Sequence, residues 1–217
     1  MQNTSWRLRR LCVMALLCAM AFAAVALIRI PVVAFLKYEP KDVLLVIGGF
    51  LFGPLAGGLM AAVVALIELV TVSDTGLIGC MMNVLSSCLF VCSAAAIYRR
   101  RKNLSGAVIG LIIGALAATA GMLLWNYLVT PLYMELPRQA VAEMLLPVFL
   151  TFNLFKTALN SVLALLLYKP ATKALRASRL LPPAEISAAK PRRSVWIIAL
   201  FSLLTMVVIL LVWRGII

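Results

Sequence analysis

Residues 147–168, PVFLTFNLFKTALNSVLALLLY, are apolar and long enough to cross a bilayer, yet they carry Asn153, Lys156 and Asn160. At about 1.5 Å per residue such a helix spans about 33 Å, which matches the hydrocarbon core. Lys156 then falls about 14 Å from its start, close to mid-depth. Spacings of three, four and seven place the three polar residues on one helix face. An ammonium at that depth is costly unless it meets a partner or a cavity. Snorkelling to an interface is the alternative, and mid-depth makes it a long reach. The segment reads as one wall of a polar pocket inside a helix bundle.

The rest of the chain supports a membrane setting. Of 217 residues, 65% are hydrophobic and 12% charged, a composition of polytopic membrane proteins rather than soluble domains. There is no histidine, which removes the commonest general base and zinc ligand. The five cysteines lie in apolar segments without a CxxC pair, so they read as packing residues and neither a metal site nor a disulfide is expected. No GxxxxGK[ST] loop and no Ser–His pair is present. An ATPase or other enzyme is therefore not expected, and the reading includes no catalytic residue and no cofactor.

Six helices are expected in the first 170 residues. The first covers 11–30; Arg29 and Pro31 follow it without a small-x-small site, so it is read as a helix and not as a signal peptide. Its Ala15, Ala19 and Ala23 form a stripe that lets another helix approach closely. Residues 31–42, PVVAFLKYEPKD, read as a charged loop. Residues 43–52, ending at Gly53-Pro54, cover only about 15 Å and predict a short, tilted or broken second helix. The third (55–72) carries Glu68, and the fourth (79–98) carries Asn83 and closes on Arg99, Arg100, Arg101 and Lys102. The fifth (106–125) holds Gly106, Gly110 and Gly114, a packing stripe, and runs into Asn126. A loop is expected at 130–143, and the sixth helix is 147–168. The expected fold is an all-α integral membrane protein: a six-helix bundle over 1–170, a basic cytoplasmic linker over 171–194, and an additional C-terminal transmembrane helix over 195–217.

The net charge of +13 is a topology signal in such a chain, with an affinity for anionic lipid and not for nucleic acid. Arg7, Arg9 and Arg10, residues 99–102 and the positive residues of 169–193 share one side if the short second helix crosses. The expectation is thus a multi-pass protein of the cell membrane with a cytoplasmic N-terminus. Glu68, Asn83 and Asn126 then lie near the outer ends of three helices, below the 31–42 loop and level with Asn153 and Lys156. Each alone can be helix–helix glue worth about 0.6 kcal/mol; together they favour an outward-facing ligand cavity. Amides, an ammonium and aromatic residues (Phe35, Tyr38, Trp125, Tyr127, Phe152, Phe155) suit a flat heterocycle with alternating carbonyl and N–H groups. A membrane scaffold whose polar residues only join helices is the rival reading.

FLKYEPKD after the first helix, IGGFLFGPLAGG at the second-to-third junction, NYLVTPLY after the fifth helix and FNLFKTALN in the sixth resemble the substrate-binding S components of energy-coupling-factor (ECF) vitamin transporters, and among them the riboflavin-specific members. The resemblance covers about residues 8–170. It implies a membrane subunit that captures the vitamin from outside, with a transmembrane coupling subunit and two cytoplasmic ATPases driving uptake. It implies that Asn126, Asn153 and Lys156 hold the isoalloxazine ring of riboflavin as the transported ligand, with Tyr38 and the 31–42 loop covering the site. It also implies that Ala15, Ala19 and Ala23 face the coupling subunit. Asn160 extends the polar face. An S component for another vitamin or flavin precursor is the nearest alternative, since a few pocket exchanges would redirect it. The seventh span departs from the family pattern. Glu68 and Asn83 are candidate substrate contacts by level alone, and are read first as helix ties.

Overall fold

The computed structural model describes residues 2–33, 36–73, 75–178 and 180–181. The linker beyond residue 181 and the expected span at 195–217 lie outside the described residues, as does Phe35. The structure is a helical membrane bundle: α1 (Gln2–Leu27), a hairpin of β1 (Ile30–Val33) and β2 (Leu36–Tyr38), α2 (Lys41–Phe52), α3 (Pro54–Thr71), α4 (Gly76–Arg100), α5 (Leu104–Met134), α6 (Arg138–Met144), a π-helical stretch (Leu145–Leu150) and α7 (Thr151–Ala177). Five helical spans among the described residues are long and apolar enough to cross a membrane.

Helix α2 sits at the centre, with α1, α3, α4 and α7 packed around it. Its Lys41, Asp42, Val43, Leu45, Val46, Ile47, Gly48 and Gly49 are all buried. Twelve residues cover only about 18 Å, and the chain makes up depth by folding the hairpin inward, so that Leu36, Tyr38 and Glu39 are buried too. Gly53 reverses the chain into α3 with φ +96°, a region that a side chain rarely adopts. Pro54 follows at the first helical position, where its missing N–H costs nothing.

Two contacts fix the directions of these helices. The Arg10 guanidinium lies 3.4 Å from the Phe52 carbonyl oxygen, at the start of α1 and the end of α2. Arg29, just past the end of α1, donates to Glu39 Oε1 at 3.1 Å and to the Val72 carbonyl. Helix α2 therefore runs back against α1. At the Phe52 end, Phe50 stacks on Tyr98 at 4.4 Å between ring centres, and the Tyr98 and Tyr168 hydroxyls are 3.0 Å apart. The positive residues of α1, of 99–102 and of late α7 thus gather at one end, and the hairpin occupies the other.

Three expectations need correction. The 31–42 loop is in part an antiparallel hairpin with Ile30 opposite Tyr38 and Pro31 opposite Lys37; strands of three and four residues are too short to show alternation in the sequence. The 130–143 loop is mostly helix. Helix α5 runs through Pro131 to Met134 and closes on Glu135 in the left-handed region at φ +54°, and α6 begins at Arg138. The sixth helix is longer than 147–168, because α6, the π stretch and α7 form one span, Arg138–Ala177. Pro147 sits inside the π stretch, where a widened turn accommodates a ring that cannot donate an N–H.

Two apolar clusters hold these parts. The larger joins α1 to α5 and α7 through residues such as Val13, Leu17, Val46, Met60, Phe90 and Leu111. The smaller, Leu36, Val141, Phe149 and Phe152, seats the hairpin on α6, the π stretch and the start of α7.

Candidate functional site

Under the hairpin, six charged groups from four parts of the chain meet. Lys41 is among the most enclosed, at 1% exposure. Its Nζ lies 2.9 Å from Glu39 Oε2 and 2.5 Å from Glu68 Oε2. Glu68 Oε2 also accepts from Asn83 Nδ2 at 3.1 Å. Asp42 stands in the first turn of α2, where a carboxylate opposes the helix dipole favourably. Ser87 donates to its Oδ1 at 2.5 Å and Asn160 to its Oδ2 at 3.4 Å. The Tyr38 hydroxyl donates to Asn160 Oδ1 at 2.8 Å, and its ring meets Phe155 edge-on. Arg29, Lys41 and Lys156 thus stand against Glu39, Asp42 and Glu68. A buried charge is tolerable when paired in this way, and losing one partner is costly.

Lys156 is held differently. Its Nζ is 3.6 Å from Asp42 Oδ2, an ion pair too long for a good hydrogen bond. An ammonium has three N–H donors, so Lys156 retains donor capacity toward the space it borders. That space is a cavity of about 80 Å³ lined by Lys156, Asn153, Glu68, Asn83 and Arg29, with Leu36, Met122 and Phe152 among its apolar walls. Ordinary small-molecule sites run from roughly 300 to 1,000 Å³, so this one is small.

The structure divides the expected site residues. Asn153, Lys156, Glu68 and Asn83 border the cavity together. Tyr38 and Asn160 lie beside it, bonded to each other. Asn126 borders a smaller neighbouring space of about 20 Å³ with Trp125 and Thr130. Its amide makes two bonds within its own helix, donating to the Met122 carbonyl at 2.7 Å and accepting from Thr130 at 2.9 Å. Asn153 likewise donates to the Phe149 carbonyl at 2.8 Å. Tyr127 is 40% exposed and lines neither space. Ala15, Ala19 and Ala23 are exposed on the outside of α1.

Sequence reasoning missed the inner charges. Glu39, Lys41 and Asp42 looked like loop residues, and Ser87 and Arg29 carried no motif. The one available signal was KYEPKD running directly into an apolar helix, which leaves those charges no way out of the bundle. Burial alone would push the Glu39 carboxyl up, but Lys41, Lys156 and Arg29 together hold it below the usual carboxylate range. Burial, with Asp42 nearby, pushes the Tyr38 phenol well above its ordinary value, so it acts as a neutral donor.

Comparison with known proteins places this geometry. The family model for the ECF transporter substrate-specific component matches residues 9–168. The riboflavin transporter RibU of Staphylococcus aureus (strain TCH60) is 29% identical over 171 residues, covering 74% of this chain and 89% of that protein. A solved structure described as the S component of a bacterial ECF transporter superposes with a TM-score of 0.65 at 27% identity, covering 81% of this chain and 99% of that one. The bundle with its short central helix is thus the S-component fold, and the chain belongs to the family of substrate-specific components of ECF transporters.

Proposed function

We propose that this S component captures riboflavin from outside the cell membrane, with its N-terminus in the cytoplasm, for uptake driven by a transmembrane coupling subunit and two cytoplasmic ATPases. The observation that carries the reading is Lys156: a buried ammonium loosely paired with Asp42, bordering a small cavity beside Asn153. Spare donors on Lys156 suit a ring carbonyl or ring nitrogen, and Phe152 offers a flat wall. Lys156 and the half-buried Arg29, which border the cavity, are each already paired with a carboxylate, which suits an uncharged vitamin better than a carboxylate or a quaternary cation. The likeness to a riboflavin transporter points to the same ligand. Basic residues gathered at one end support the orientation.

The hairpin is read as the lid, because Leu36 and Lys37 border the cavity and Tyr38 ties β2 to Asn160 on α7. A ligand larger than the present space must displace it. Hydrogen exchange in residues 30–38 should slow when riboflavin binds; unchanged exchange would remove the lid role.

The principal test is the visible absorbance of protein purified in detergent, followed by riboflavin titration. Wild-type protein should carry or bind flavin near one to one. Lys156→Ala should weaken it by about 10–150-fold, the range of a lost charged hydrogen bond, and Asn153→Ala by somewhat less. Wild-type protein that fails to bind riboflavin would retain the family and lose this substrate. Unchanged affinity in Lys156→Ala would remove Lys156 from the site.

A further inference from the structure

The two carboxylate oxygens of Glu68 have different surroundings. Oε2 accepts from Lys41 and Asn83. Oε1 is buried and has no hydrogen-bond partner among the described residues, although Glu68 borders the cavity and is only 1% exposed. Orphaned buried oxygens are rare, and each calls for a reason. Tying α3 to α2 and α4 needs only Oε2, and a glutamine would serve Lys41 and Asn83 with its single oxygen. The second oxygen is left over from any packing role.

We infer that Glu68 is a specificity residue: when a ligand widens the cavity, Oε1 accepts a hydrogen bond from an O–H or N–H of that ligand. The assignment rests on the riboflavin reading. Lys156 on α7 offers donors, and Glu68 on α3 offers an acceptor alone. The ligand must therefore present an acceptor to α7 and a donor to α3. Riboflavin has both, with ring carbonyls for the first and either a ring N–H or side-chain hydroxyls for the second. A ligand without the donor leaves Oε1 orphaned in the bound state, which sites of this kind reject strongly.

The test is a titration of full-length wild type, Glu68→Gln and Glu68→Asp with three flavins. These are riboflavin, lumiflavin (the same ring with methyl in place of the hydroxylated side chain) and riboflavin methylated at the ring N–H. In Glu68→Gln the oxygen stays with Lys41 and Asn83, and an amino group turns to the cavity. Glu68→Asp keeps the anion beside Lys41 and withdraws the free oxygen; it carries the comparison if the glutamine variant does not fold. Both variants should weaken riboflavin about tenfold or more. The analogue lacking the donor that Glu68 accepts should change by no more than about twofold. An unaffected lumiflavin assigns the bond to the side chain, and an unaffected N-methyl flavin assigns it to the ring. Equal weakening of all three ligands, or none, would make Glu68 a structural tie and overturn the inference. Wild type that binds no riboflavin overturns the substrate reading first, and this assignment with it.

Discussion

Helices α1 and α5 carry the same pattern of small residues at every fourth position and use it in opposite ways. On α5 the stripe is spent inside the molecule. A Cβ at Gly110 would lie 2.6 Å from the Ala94 carbonyl oxygen, and one at Gly114 would lie 2.6 Å from that of Phe90, so α4 rests on the α5 backbone. On α1 the face that packs inward is Val13, Leu17, Ala21 and Val25. Ala15, Ala19 and Ala23 are offset from it by two residues, about 200° around the helix, and are exposed. Of the α1 span only 22% is buried, against 39–44% for the other four, so among the described residues α1 is the span least used by its own bundle. A small-xxx-small stripe states that a backbone can be approached closely; only the fold shows whether the approach has already been made.

The strongest way to break the contrast is to fill the α5 seam. Gly114→Leu would press a branched side chain against the Phe90 carbonyl and the Phe90 ring. Backbone cannot rotate aside as a flexible side chain can, so α4 and α5 must separate. A cost of about 3 kcal/mol or more is expected, at the upper end of overpacking, and the purified variant should elute as aggregate. A monodisperse variant with wild-type thermal stability would show that the seam is looser than the geometry states.

The same enlargement on α1 should leave the fold alone. Ala15→Leu with Ala19→Leu adds apolar surface to a face already exposed, so folding stability should move by no more than about 0.5 kcal/mol. Riboflavin affinity should be unchanged, because the stripe is exposed on the outer face of α1 and lines neither cavity. Uptake by the reconstituted complex should be lost if a coupling subunit approaches this face. Transport at the wild-type rate in the double variant would leave the stripe as ordinary lipid-facing surface.

How much was legible in the sequence follows from where the signals are local. Lys156, Asn153 and Asn160 stood out because a polar face in an apolar 22-residue run has few explanations, and three, four and seven are helical spacings. The α5 glycines were legible as packing for the same reason. The short second helix followed from Gly53-Pro54. Asp42 and Lys41 were not legible, since the sequence does not show that their helix starts in the middle of the bundle rather than at its surface. The hairpin escaped because its strands are shorter than one alternation can reveal. The π stretch escaped because Pro147 in an apolar run reads as a helix start. Asn126 was expected beside Asn153, and no local pattern could show that its amide would turn back onto Met122 and Thr130.

The gentlest test isolates the steric term by running propensity against it. Glycine to alanine in a helix interior should stabilise by about 0.8–1.0 kcal/mol on propensity alone, and alanine to glycine should cost as much. On the outer face of α1 nothing among the described residues opposes that term, so Ala19→Gly should lower stability by about 1 kcal/mol. At Gly110 the new methyl would sit 2.6 Å from the Ala94 carbonyl oxygen, and the clash should reverse the sign, making Gly110→Ala destabilising by about 1 kcal/mol or more. Thermal midpoints of the two variants in the same detergent compare them directly. Both should fall, one because a methyl is removed and the other because a methyl is added. If Gly110→Ala instead raised the midpoint, α5 would have room at that turn. The two stripes would then differ in exposure but not in closeness of packing, and the case for α1 as the face left open to a partner would rest on its exposure alone.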